Sequence, residues 1–203
     1  MQTVKDKMLG QIRRRPAGYA FSAKDFLNLG TRGSIDMALS SLIQAGVVRR
    51  ITRGIYDSPR FSDILNKHVP PDIDQVAQAH ARKHGWRIQA TGAMAANILG
   101  LSTQVPAKVV YIIDGPGKSI KVGNTTVQFK KAAPKDLNVQ NTKSALVIQA
   151  LKFLGRKSVD KHVQSQIAAG LSDADRKELL HDVRFVTDWV VEAVKTICRK
   201  GDR

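Results

Sequence analysis

Three arginines lie shortly before a glycine: Arg49, Arg50 and Arg53 fall within five residues and precede Gly54. A guanidinium group stays charged at physiological pH and can bind phosphate oxygens through two parallel N–H bonds. Three such groups at one glycine turn therefore predict contact with a polyanion. The alternative is that these arginines form a solvated face of a hairpin that merely completes a small sheet.

The charge of the whole chain favours the same kind of partner. Its 203 residues include 33 Lys+Arg and 17 Asp+Glu, which gives a net charge of +16. Residues 1–60 hold 11 Lys+Arg against 4 Asp+Glu, or +7, and residues 61–203 hold 22 against 13, or +9. The N-terminal segment is thus nearly twice as basic per residue. Because phosphate binding releases counterions, nucleic acid is the expected partner, with an acidic protein or a membrane surface as alternatives.

Other reactive groups favour structural interpretations over catalysis. Gly117–Ser119 follows an apolar run, but the phosphate-binding loop that it resembles has its first glycine farther upstream, where this chain has none. Asp72 and Asp74 have the spacing of a metal-binding carboxylate pair, yet helix capping is the better interpretation. His80 and His84 lie one helical turn apart without an evident third ligand. We therefore expect no catalytic site, no metal and no cofactor.

The cysteine content and hydropathy indicate a cellular compartment. Cys198 is the only cysteine, so neither an internal disulfide nor a thiolate zinc site can form. No apolar run approaches the roughly 18 residues that a membrane-spanning helix needs, and no N-terminal segment resembles a signal peptide. These features predict a cytoplasmic protein with no membrane partner.

The elements that must position the arginines begin with two helices. Val4, Met8 and Ile12 recur at four-residue steps, which is the apolar stripe of an amphipathic helix. Ser22 and Asp25 have the spacing of a capping box and predict the start of a second helix about two turns long.

A third helix and a hairpin follow after a short turn. Ser34 is the predicted N-cap of the third helix, which Gly46 closes and whose apolar positions are Ile35, Ala38, Leu39 and Leu42. Residues 30–33 form the turn before it, and the β-rich runs 47–51 and 55–57 form the hairpin after it. Helix, helix, turn, helix and hairpin is the order of a winged helix-turn-helix domain.

The rest of the chain predicts a second, larger domain. A segment over residues 58–71 is expected to be a linker, and residues 72–131 mix helical patterns with strands, including a hairpin around Gly123-Asn124. The pattern becomes helical after about residue 140, with Thr142 as a predicted N-cap and Ser172 with Asp175 as a capping box. We therefore predict an α+β fold with a winged helix-turn-helix in residues 1–60, and a mixed α/β domain in residues 61–203 that ends in a helical segment and binds a partner.

In a helix-turn-helix the second of the two paired helices enters the major groove, and in this chain that is the third predicted helix. Its outward side and the hairpin therefore define the expected DNA contacts. Arg32 is the best candidate at the helix start, and the hairpin arginines would reach phosphates or the minor groove. Ordinary helix surface is an equally good interpretation of Asp36 and Ser41. The full set of expected contact residues is Thr31, Arg32, Ser34, Asp36, Met37, Ser41, Arg49, Arg50, Thr52 and Arg53.

Residues 42–56, Leu-Ile-Gln-Ala-Gly-Val-Val-Arg-Arg-Ile-Thr-Arg-Gly-Ile-Tyr, resemble the winged helix of AbiEi-type antitoxins from type IV toxin-antitoxin operons. The resemblance extends over about residues 3–60, and Thr91–Ala93 with Val109–Gly115 is similar, less specifically, to the second domain of that family. It implies a phage-defence antitoxin that represses its own operon by binding inverted repeats. It further implies that the C-terminal domain opposes a nucleotidyltransferase-like toxin encoded beside it.

Two hypotheses follow from the sequence. The first is this autoregulating repressor, bound to double-stranded operator DNA as a monomer or as a dimer that the DNA assembles. The second is a protein-interaction or RNA-binding module that has a basic surface but no operator specificity. Equal affinity for operator and scrambled DNA would favour the second hypothesis.

Overall fold

The computed structural model describes residues 2–103, 108–132 and 141–199. Over these residues the chain has an α+β fold, as predicted. The helices are α1 Val4–Arg13, α2 Arg32–Gln44, α3 Ile73–His84, α4 Ala93–Ile98, α5 Thr142–Leu154, α6 Lys161–Ala169, α7 Asp173–Asp182 and α8 Asp188–Cys198. The strands are β1 Ala20–Phe21, β2 Arg49–Thr52, β3 Ile55–Asp57, β4 Phe61–Ser62, β5 Lys67–His68, β6 Ile88–Ala90, β7 Lys108–Ile113, β8 Lys118–Val122 and β9 Thr125–Lys131.

The strands form three small sheets. The first has the order β1-β3-β2, the second pairs β4 with β5, and the third has the order β6-β7-β9-β8. In the first sheet β2 and β3 form the predicted hairpin, whose turn contains Gly54 at φ 74, in the left-handed region that favours glycine. The segment predicted as a linker contains the β4–β5 hairpin, in which Phe61 lies opposite His68.

Two of the predicted helix starts differ from the structure at the N-terminus. Ser22 and Asp25 do form a capping box, but it opens a 3₁₀ turn over Ala23–Phe26 rather than a two-turn α-helix. Ser34 is not the N-cap of α2. That position belongs to Thr31, whose hydroxyl oxygen accepts a hydrogen bond from the Ser34 backbone N–H, so the helix begins one turn earlier than predicted.

The apolar residues of α1 and α2 form one core with β1, as their spacing predicts. Met8 and Ile12 of α1 are buried against Phe21 and Phe26. Ile35, Ala38, Leu39 and Leu42 fill the same cluster from α2. Because these positions take the inward side of α2, the opposite side of that helix faces away from this core.

The chain divides into two compact units. The N-terminal unit comprises Met1–Arg87 with Ser119–Val127, and the C-terminal unit comprises Ile88–Lys118 with Gln128–Arg203. The first unit continues past the boundary predicted at residue 60 because α3 packs against β1 and β3.

Helices α5 to α8 form the core of the C-terminal unit around Leu151, Leu179, Val190, Val194 and Ile197. Leu179 lies in α7 and Ile197 in α8, and a 3₁₀ turn over Val183–Phe185 separates these two helices. The helical segment predicted after about residue 140 is confirmed, since α5 begins at Thr142.

Two predicted caps in this unit have different outcomes. Asn141, not Thr142, caps α5, because its side-chain oxygen accepts from two backbone N–H groups. The capping box of Ser172 with Asp175 is confirmed at the start of α7. No helix in the described part of the chain is both long and apolar enough to cross a bilayer.

Asp175 should make the stability of the C-terminal unit depend on pH. A hydrogen bond from Lys143 at 2.7 Å, together with those from Ser172, lowers the pKa of Asp175 to about 2. A carboxyl group whose pKa is lower in the folded state stabilises the fold above its ordinary pKa near 3.8, and that contribution disappears as the pH falls towards 2. Asp175→Asn should therefore lower the melting temperature at pH 7 and have a shrinking effect between pH 5 and pH 2.5.

A matched variant separates this effect from any change of surface charge. Glu192→Gln removes a carboxylate from an exposed pair, in which Glu192 lies 3.7 Å from Arg156, and should leave the melting temperature nearly unchanged. Thermal melts followed by the fluorescence of Trp189, in a Trp86→Phe background, report on the C-terminal unit. A constant difference between wild type and Asp175→Asn across the pH range would contradict the prediction.

Candidate nucleic-acid interface

The outward side of α2 is open to solvent over its whole length. Thr31, Arg32 and Asp36 are exposed at its N-terminal end, and Met37 in the second turn has 76% of its surface exposed. Ser34 and Ser41 are half-buried, since they lie at the border of the buried side. The Ser34 hydroxyl donates to the Thr31 carbonyl at 2.8 Å, so it takes part in the helix cap.

Arg32 and Asp36 form an ion pair along this helix. The Arg32 Nε–H donates to Asp36 Oδ2 at 2.8 Å, one helical turn away. This hydrogen bond, together with the negative charge of Asp36, raises the pKa of the Arg32 guanidinium. Asp36 therefore orients Arg32 and offsets its charge, which leaves the start of α2 close to neutral.

The β2–β3 hairpin presents two of its three arginines to solvent. Arg50 and Arg53 are exposed, and Thr52 is half-buried beside them. Arg50 lies opposite Tyr56 in the sheet. The Lys83 ammonium donates to the Arg53 carbonyl at 3.1 Å, so α3 holds the turn that carries Arg53. The hairpin thus offers two cations, one on β2 and one on a turn that is fixed within its own unit.

Arg49 has a different role from its two neighbours. Its Nε–H and Nη2–H groups donate to the two carboxylate oxygens of Asp57 at 3.1 and 2.7 Å, and its guanidinium also contacts the Val69 carbonyl at 3.2 Å. The Asp57 side chain is 1% exposed, and that of Arg49 is 31% exposed. These bonds satisfy the guanidinium inside the unit, so Arg49 stands apart from the other predicted contact residues.

The outward stripe of α2 also includes residues that sequence reasoning missed. Ser40 and Gln44 are exposed, and so is Gly33 at the opposite end of the helix. Together with Met37 they recur at steps of four, three and four residues, which places them on one side of an α-helix. The same spacing rule that identified the buried positions could have found them, because they lie opposite Ile35, Ala38 and Leu42.

Arg82 of α3 is a second feature that sequence reasoning missed. Its guanidinium donates to the Ala20 carbonyl at 2.8 Å and lies 3.3 Å from Asp25. It also packs over the Tyr19 ring, 5.3 Å from the ring centroid. Arg82 therefore ties α3 to β1 and to the 3₁₀ turn that precedes α2, and no local pattern in the sequence signals such a long-range contact.

The residues considered for metal binding or catalysis take part in helix capping, ring stacking or the start of a strand. The His80 and His84 rings stack with their centroids 4.5 Å apart, a parallel arrangement unsuited to sharing one ion, and His84 Nδ1 lies 2.8 Å from the His80 carbonyl. Asp72 caps α3, and Lys118 begins a strand rather than a helix. Within residues 2–103, 108–132 and 141–199, no three His, Cys, Asp or Glu side chains are grouped to hold a metal.

Comparison with known proteins identifies one relevant family. The sequence profile of a family of unknown function, DUF6088, matches residues 7–179, a span that runs from α1 into α7. No curated protein matches the chain.

Proposed function

The chain belongs to the family DUF6088, for which no function is known, and we propose that this member is a cytoplasmic DNA-binding repressor rather than an enzyme. Its N-terminal unit would bind DNA as a winged helix-turn-helix, with α2 in the major groove and the β2–β3 hairpin as the wing. The observation that supports this most directly is that one compact unit carries both an outward-facing polar side of α2 and the exposed arginines of the hairpin.

Charge supports a polyanionic partner for this surface. Among the residues that the structure describes, no carboxylate pairs with Arg50 or Arg53, in contrast to Arg49, and the unit also exposes Arg13, Arg14 and Arg15 at the end of α1. Guanidinium groups without internal partners bind phosphates without first breaking an ion pair. The proposed contact set is therefore the outward side of α2 with Arg50, Thr52 and Arg53.

The regulatory role that we propose is that of an AbiEi-type antitoxin, on the basis of the resemblance over residues 3–60. In this role the protein represses its own operon at an inverted repeat, as a monomer on each half-site or as a dimer that the DNA assembles. The C-terminal unit would then oppose a nucleotidyltransferase-like toxin. A protein-interaction or RNA-binding module without operator specificity is the second candidate, and the basic surface is equally compatible with it.

Replacing the two exposed hairpin arginines should weaken DNA binding and its dependence on salt. Arg50→Ala and Arg53→Ala should each reduce the slope of log K against log salt concentration by about one unit, because each removes one phosphate contact. The measurement is fluorescence anisotropy of the full chain with a labelled duplex from upstream of its own gene, at several salt concentrations. A scrambled duplex of the same composition shows whether binding depends on sequence.

Arg184→Ala is the matched control, since Arg184 is an exposed arginine of the C-terminal unit and its loss changes the net charge equally. In cells, the Arg50→Ala/Arg53→Ala double variant should lose repression but still protect against the product of the adjacent gene. Unchanged salt slopes, or equal affinity for the upstream and scrambled duplexes, would contradict operator binding. A double variant that lost both activities while remaining folded would contradict the division of roles between the units.

A further inference from the structure

The outward stripe of α2 is uncharged. It consists of Gly33, Met37, Ser40 and Gln44, all exposed, and these residues offer one thioether, one hydroxyl, one amide and a position without a Cβ atom. The significance of this composition for DNA recognition rests on the proposed function, that is, on α2 lying in a DNA groove.

The two charged residues of α2 are already bonded to each other. Arg32 and Asp36 are the only charged side chains in the helix sequence, and their 2.8 Å hydrogen bond keeps the guanidinium paired with a carboxylate. Arg50 and Arg53 of the hairpin are exposed and available for phosphates. The base-facing side of α2 therefore lacks an unpaired Arg or Lys, the side chains that most often recognise guanine through O6 and N7.

The groups that α2 does present are suited to contacts with an A·T base pair. A glutamine amide can form two hydrogen bonds with adenine N6 and N7, and an apolar side chain can pack on the thymine methyl group. Ser40, one turn after Met37, has a small side chain that lets the helix approach the base edges. Residues 37 and 44 are seven positions apart, which is about 10 Å along a helix, or roughly three base-pair steps.

We propose that α2 reads A·T base pairs in the major groove, with Met37 on a thymine methyl group and Gln44 on an adenine about three base pairs away. Met37 is 76% exposed without a partner in its own unit to cover it, and a thymine methyl group would bury part of that surface. The preferred half-site should accordingly contain A·T pairs at both positions.

Base analogues test each contact in the full-length protein. The preferred site is first selected from a random duplex library, and each thymine is then replaced by deoxyuridine and each adenine by 7-deazaadenine. Loss of one thymine methyl should weaken binding about fourfold, as expected for one buried methyl group. Loss of N7 at the adenine opposite Gln44 should weaken binding about five- to tenfold, since it removes one of the two bonds in a bidentate contact.

Substitutions in α2 show which residue is responsible for each base-analogue effect. Met37→Ala should bind the thymine and deoxyuridine duplexes equally, and Gln44→Ala should bind the adenine and 7-deazaadenine duplexes equally. Arg53→Ala is the control, because it should weaken binding to every duplex and keep both analogue effects. Both α2 residues are exposed, so their replacement should leave the melting temperature nearly unchanged, which a thermal melt checks.

The possible outcomes separate this inference from the proposed function. Sequence-specific binding to a site with G·C pairs at these positions, or analogue effects that persist in Met37→Ala and Gln44→Ala, would overturn the A·T reading and leave the repressor intact. An absence of any sequence preference would contradict both the A·T reading and the proposed repressor function. If Met37→Ala bound DNA normally but no longer protected against the adjacent gene product, this side of α2 would be a protein-binding surface and the inference would be wrong.

Discussion

Arg49→Met should lower the free energy of unfolding of the N-terminal unit by about 3 kcal/mol, the low end of the range for a buried ion pair that loses one partner. The substitution leaves the Asp57 carboxylate, which is 1% exposed, without the two bonds that compensate its burial. The effect should lie at the low end because the Arg49 side chain itself is 31% exposed, so that water reaches part of the pair. The Val69 carbonyl also loses its donor.

Two tryptophans make this measurement specific to one unit. Trp86 lies in the N-terminal unit and Trp189 in the C-terminal unit, so denaturant unfolding in a Trp189→Phe background reports on the former. Arg50→Ala, which removes the exposed neighbour, should change stability by less than about 0.5 kcal/mol. The Arg49→Met/Asp57→Asn double variant should recover part of the loss, since it removes the unpaired charge. Equal stability of Arg49→Met and Arg50→Ala would refute the structural role of Arg49.

Phe21→Ala should be at least as damaging, at about 3–5 kcal/mol, because it empties a fully buried aromatic site. The Phe21 ring meets Phe26 edge-on with centroids 5.3 Å apart and stacks on Tyr56 at 6.2 Å. It therefore joins β1 to the 3₁₀ turn, which precedes α2 in the chain, and to β3, which belongs to the hairpin that follows α2. Their packing fixes the helix and the hairpin within one unit.

The same fluorescence assay distinguishes this cavity effect from general surface sensitivity. Leu27→Ala removes a side chain of similar apolar character that is 49% exposed, and it should cost less than about 1 kcal/mol. Phe21→Leu, which keeps most of the volume, should fall between the two. A Phe21→Ala protein as stable as Leu27→Ala would show that this aromatic cluster does not hold the unit together.

Local spacing was sufficient to predict much of this unit. The buried residues of α1 and α2 follow a helical repeat that tertiary packing did not alter, so Met8, Ile12, Ile35 and Leu39 lie where their pattern indicates. The start of α2 was harder to predict, because Thr31 and Ser34 are both good N-cap residues and only the backbone geometry selects Thr31.

The role of Arg49 could not be predicted from local spacing, because a β-bulge decides it. The hairpin pairs Thr52 with Ile55, and regular pairing would then set Arg50 opposite Asp57. The register shifts between Arg50 and Thr52, so that Arg49 is the residue opposite Asp57 and Arg50 lies opposite Tyr56. The Val69 carbonyl, twenty residues along the chain, completes the site. Neither the bulge nor that contact leaves a signal in the residues around Gly54.

Lys83 restrains the hairpin turn in the unbound protein. Its ammonium group holds the Arg53 carbonyl and lies so close to Gly54 that a Cβ atom there would come within 2.6 Å of it. A flexible turn would lose conformational entropy on meeting a duplex, whereas a turn already held in place loses less. In the DNA complex that we propose, more of the interaction free energy of the Arg53 guanidinium would then be available as affinity, and this gain would originate in a helix that need not contact the duplex.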